Sequence, residues 1–82
     1  MTVCYKRGVS SEERLEAAAK LFDAAAEELE RAVAHCRTAA RHFRDGVVPR
    51  GAAHAWAAFG HVKAAEESLE AQARTHAEKS NP

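Results

Sequence analysis

The chain has 82 residues and a mass of 8.9 kDa; 46% of it is apolar, 6% aromatic and 29% charged, and its 12 basic and 12 acidic side chains leave a net charge of zero. That length holds one small domain, two cysteines are too few for a disulfide framework, and no run of about 18 apolar residues offers a membrane span. Much of the apolar fraction is alanine, which buries little area, so a monomer is expected to have a thin core and self-association is the first expectation.

Residues 1–9 carry Lys6 and Arg7 and no apolar stretch. They are read as a flexible arm without a secretory signal, and the protein as reduced and cytoplasmic, with Cys4 in the arm. Ser10-Ser11-Glu12-Glu13 fits a capping box that starts a helix. Leu15, Phe22, Leu29, Cys36 and Phe43 then recur every seven residues, with alanines at the intermediate steps, and are expected to form the core stripe of a first helix over about 11–45. Cys36 is expected to pack within that stripe.

Asp45-Gly46 ends the first helix, since glycine adopts the left-handed conformation that closes one, and 46–51, with Pro49 and Gly51, is expected to be a linker. A second pattern, with Ala55, Val62, Leu69 and His76 at heptad spacing, predicts a helix over about 52–79, followed by a tail at 80–82. A linker this short between helices this long forces an antiparallel pairing. The fold expected is all-α, an antiparallel two-helix hairpin.

The first half of the second helix, from Ala52 to Ala65, is apolar on nearly every side, more than one neighbouring helix can cover. A second copy is expected to lie against it, giving a homodimeric four-helix bundle with Leu21, Ala53, Trp56, Phe59 and Gly60 at the interface. A glycine within a helix costs about 1 kcal/mol relative to alanine, which argues that close packing set Gly60. Alternatively, Val3-Cys4-Tyr5 folds back over Trp56.

Charge is segregated along the chain. Arg31, Arg37, Arg41, Arg44, Arg50 and Lys63 face only Asp45 between residues 31 and 65, while the other 11 acids lie outside. Folding the hairpin puts the basic stretch at the turn and the acidic stretch at the open end, which favours dimers whose hairpins run in opposite directions. The alternative use of Arg37, Arg41, Arg44, Arg50 and Lys63 is to bind nucleic acid or another anionic partner.

His35 and His42 are seven apart on one helix, as are His54 and His61 on the other. Antiparallel pairing about a turn near Val48 brings His42 to His54 and His35 to His61. Such a seam suits a metal ion or a response to pH, although two layers about 10 Å apart leave at most two ligands in each. No carboxylate-x-x-His pair, His-Glu-x-x-His, Ser/His/Asp set or phosphate-binding glycine loop occurs, so a non-catalytic interaction module is expected, with no cofactor required.

Arg41-His42-Phe43-Arg44-Asp45-Gly46, followed by Pro49, Ala52-Ala53, Ala57-Ala58, Gly60-His61 and Ala64-Ala65, resembles the helical hairpin of small archaeal proteins of uncharacterised function. More loosely, it is similar to tetratricopeptide and HEPN hairpins. The likeness implies a helical fold and a cytoplasmic interaction role without a reaction. Arg37 and His42 also match the arginine, four residues, histidine spacing of HEPN ribonucleases, which implies action on RNA phosphate.

Overall fold

The computed structural model describes residues 11–80. Two helices account for nearly all of them: α1 (Ser11–Arg44) and α2 (Val48–Lys79), packed against each other as an antiparallel hairpin. The expected capping box, the arm with Cys4 and its fold-back over Trp56 involve Ser10 or residues before it, outside the described residues. No helix among the described residues is long and apolar enough to cross a membrane.

The turn is shorter than the sequence suggests. Gly46, at φ 75°, is the left-handed residue after α1; its amide donates to the Phe43 carbonyl at 3.1 Å, and the Val47 amide donates to the His42 carbonyl at 2.8 Å. This pair of bonds satisfies carbonyls that the helix end leaves open. Val47 then serves as the N-cap of α2, with Pro49 in the first turn, where the missing amide costs nothing. Residues 48–51, expected as linker, are therefore helical. Gly51 is accommodated because its bare Cα lies against the Phe43 ring, where a Cβ would come within 2.7 Å of a ring carbon.

The buried residues among those described are Ala25, Ala32 and Ala39 on α1 and Gly51, Ala58 and Ala65 on α2. Each set repeats every seven residues, and each is small enough to let the two backbones approach closely. This corrects the expected core. Leu15, Phe22, Leu29 and Phe43 are 70%, 52%, 42% and 49% exposed, and Cys36 is exposed with them.

The two rows differ by four residues, about 40° around the helix, so they share one periodicity and only one can lie at the centre of the contact. Alanine occupies the centre, and the larger side chains stand along one flank. Val62 and Leu69, four residues beyond Ala58 and Ala65, stand on the same flank of α2 and are also exposed. Antiparallel packing sets like positions of the two helices on the same side, so these rows form one apolar face.

A methyl-sized group contributes about 0.8 kcal/mol on burial, against about 1.5–3 kcal/mol for a large apolar side chain, so the alanine seam is a thin core. The molecule is a rod of 60 × 25 × 14 Å. Its accessible surface is 6243 Å², where a compact protein of this mass exposes about 4800 Å².

Candidate functional site

Three residues past each small residue of the seam's heptad row, about 60° to its other side, comes a second row. On α1 it holds Leu21, Glu28, His35 and His42; on α2 it holds His54, His61 and Ser68. All are half-buried between the helices. Because the helices interdigitate, the histidines alternate from one to the other. His42 stacks on His54 with ring centres 5.4 Å apart, His54 meets His35 at 5.2 Å, and His35 stacks on His61 at 5.3 Å. His61 completes the series by donating from Nδ1 to Glu28 Oε1 at 2.6 Å. A carboxylate only accepts, so this bond fixes the proton of His61 on Nδ1. The second Glu28 oxygen accepts from Arg31 at 3.3 Å.

The expected approaches of His42 to His54 and of His35 to His61 are both present, joined by a third contact that makes the two layers continuous. In that contact the Nδ1 atoms of His35 and His54 are 3.0 Å apart. The ring centres are 5.2 Å apart, so the remaining 2.2 Å is about twice the radius of an imidazole ring. The two nitrogens therefore lie nearly on the line between the rings. That is the geometry of an N–H···N hydrogen bond, with a proton on one Nδ1 and a lone pair on the other. Two lone pairs converging on a metal ion would instead point to a shared position off that line. Among the described residues no three His, Cys, Asp or Glu side chains are arranged to hold a metal ion.

The basic residues cluster at the turn end. Arg37, Arg44 and Arg50 are exposed and form no ion pair with any of the described residues, and Arg41 donates to the Thr38 hydroxyl at 3.1 Å. Lys63 stands apart from them. It bonds Glu66 at 2.7 Å, and that bond together with the carboxylate's charge raises its pKa from the ordinary 10.5. Arg37 and His42 share no contact: five residues is about 140° around a helix, so Arg37 lies in solvent while His42 enters the seam.

Of the residues expected at a partner interface, Trp56 and Phe59 meet edge to face at 6.1 Å and are 73% and 54% exposed. Ala53 and Gly60 lie beside Trp56 on the outer side of α2, both exposed, with open space beyond Gly60. Leu21 is elsewhere. It sits half-buried in the seam toward the open end, one heptad before Glu28.

Glu28 is the site residue that sequence reasoning missed. Its signal was present in the heptad Glu28, His35, His42, which continues the histidine spacing by one step.

No protein-family model, curated protein or solved structure matches the chain.

Proposed function

We propose that the protein is a non-catalytic assembly module that pairs with a second copy of itself to form an antiparallel four-helix bundle. The observation that carries this reading is the uncovered row of Phe22, Leu29, Phe43, Val62 and Leu69 on one face of the hairpin. Leu21 alone among the large apolar side chains of the described residues is not exposed. Phe59 and Trp56 extend the face around the outer edge of α2, since Phe59 lies about 60° further round the helix than Val62. Contiguous apolar surface of this kind marks an interaction site.

The area supports the same reading. The surface beyond that of a compact protein of equal mass is on the order of 1400 Å², as an elongated rod with a thin core exposes, and pairing along its length would bring such a molecule nearer the compact ratio. A second hairpin fits because it offers the same flat apolar face, and two such faces bury each other. Charge selects its direction: with the copies reversed, Arg37, Arg41, Arg44 and Arg50 lie over the acids of the open end. Surface pairs contribute about 0–1 kcal/mol each, enough to choose an orientation while the apolar face provides the stability.

Light scattering across a dilution series tests this. The expected mass at high concentration is twice 8.9 kDa. Phe22→Glu with Leu69→Glu is expected to give a helical monomer at every concentration. A wild-type monomer throughout would sink the reading.

A second reading is favoured by Arg37, Arg44 and Arg50, which have no carboxylate partner among the described residues: the turn end binds a nucleic-acid backbone. Its signature is RNA or DNA binding that weakens steeply with salt and is lost in Arg41→Glu with Arg44→Glu. Binding insensitive to either change would reject it.

A further inference from the structure

The apolar face makes no use of the histidines, which lie on the other side of the alanine seam. We infer that the His35–His54 pair is an acid-sensitive latch within the hairpin: the helices stay closed while one of the two facing nitrogens is bare, and open when acid protonates both.

The hydrogen bond itself supplies the reason. The two Nδ1 atoms are 3.0 Å apart, and an N–H···N bond at that separation needs one of them to donate and the other to accept. Protonating the donor ring at its outer nitrogen leaves the bond intact. Protonating the acceptor at Nδ1 removes the lone pair, turns the contact into two N–H groups facing each other, and places two cationic rings 5.2 Å apart.

The surroundings sharpen this effect. Each end of the series has a partner for positive charge: His61 has Glu28, and His42 lies in the last turn of α1, where the carbonyl ends favour a cation. The middle pair has neither. From α1 it faces Glu28, already held by His61 and Arg31, together with His42; from α2 it faces His61 and, one turn before His54, Arg50. Arg41, Arg44 and Asp45 lie beyond His42 at the turn. With the ends charged, His35 and His54 lie between two imidazolium rings at 5.3 and 5.4 Å, and among the described residues no carboxylate bonds to either of them. Separating the helices returns each ring to water. The latch lies within one chain and does not depend on a second copy.

The test is denaturant unfolding of the full chain, followed by helical circular dichroism, from about pH 7.5 to about pH 5, the range in which imidazole ordinarily charges. Opening takes up protons at the middle pair, while Glu28 and the end of α1 favour positive charge at the two ends of the closed series. The latch is therefore read as the extra fall of the folding equilibrium constant toward acid in the wild type over a variant without the pair, up to about tenfold per pH unit for each proton. His35→Gln with His54→Gln is expected to flatten that slope, whereas His76→Gln, exposed and outside the series, keeps it. A double variant whose stability changes with pH as the wild type's does would overturn the latch. If the double variant does not fold, nitrogen NMR of the wild-type imidazoles gives an independent answer. One bare and one protonated Nδ1, coupled across the bond at neutral pH, support the latch. Both rings doubly protonated at about pH 5 with the helices still packed would overturn it.

Discussion

The Phe43 ring occupies the space that a side chain on Gly51 would fill: its nearest carbon is 2.7 Å from the position of an added Cβ. This contact, between the last turn of α1 and the first turn of α2, lets helix begin within three residues of the turn. Gly60 is the opposite case, with nothing within 4 Å of its added Cβ. Alanine is favoured over glycine in a helix by about 1 kcal/mol. Gly60→Ala is therefore expected to raise the unfolding free energy by about that amount, while in Gly51→Ala the displaced Phe43 ring offsets the gain. Denaturant midpoints of the two variants, compared with the wild type, check the contrast. Equal gains in both would show that the Phe43 contact carries no weight.

Close approach along the alanine seam makes it intolerant of volume. Ala32 and Ala58 are 5% exposed, and larger residues there would hold the helices apart. Ala58→Leu is expected to destabilise the hairpin by about 1–3 kcal/mol despite its greater hydrophobicity. Ala53→Leu, on the outer side of α2, is expected to change it by less than about 0.5 kcal/mol. Thermal unfolding measures both, and a stabilising Ala58→Leu would contradict the seam.

Cys36 lies in the row of Leu29 and Phe43, exposed in the single chain. If a second hairpin covers that face, modification of its thiol by a water-soluble reagent is expected to slow as protein concentration rises through the dimerisation range. Rates that do not change with concentration would place the second copy elsewhere or remove it. Cys36→Ser, with rates followed at the remaining Cys4, is the control.

The Lys63–Glu66 pair lies in solvent, so its contribution is small and screened by salt. Its sign is still defined. A raised lysine pKa means stabilisation that is complete below the ordinary 10.5 and is lost as pH rises through the raised value. Lys63→Gln is therefore expected to lower stability slightly at neutral pH and to have no effect in strong alkali. A difference that grows above the lysine range would contradict this assignment.

The helices and their turn were legible in local signals. Gly46 and Pro49 allow one chain reversal, and the seven-residue patterns on both sides have no competing strand alternation. The histidine contacts were legible too, because antiparallel register follows from the position of the turn. The linker was read too long because Pro49 and Gly51 look like helix breakers singly; Pro49 lies in the first turn of α2, and Gly51 is required by the Phe43 ring.

What the sequence alone determined is therefore two long helices, their reversal and the segregation of their charge, all properties of neighbours along the chain. Which heptad row meets the other helix was decided only in three dimensions. Leu15–Phe43 and Ala25–Ala39 repeat with the same period, about 40° apart, and hydrophobicity favours the larger side chains. In the packed pair the alanine row meets the other helix, so the backbones approach closely, the histidines and Glu28 form one continuous series, and the larger side chains stand on the uncovered face.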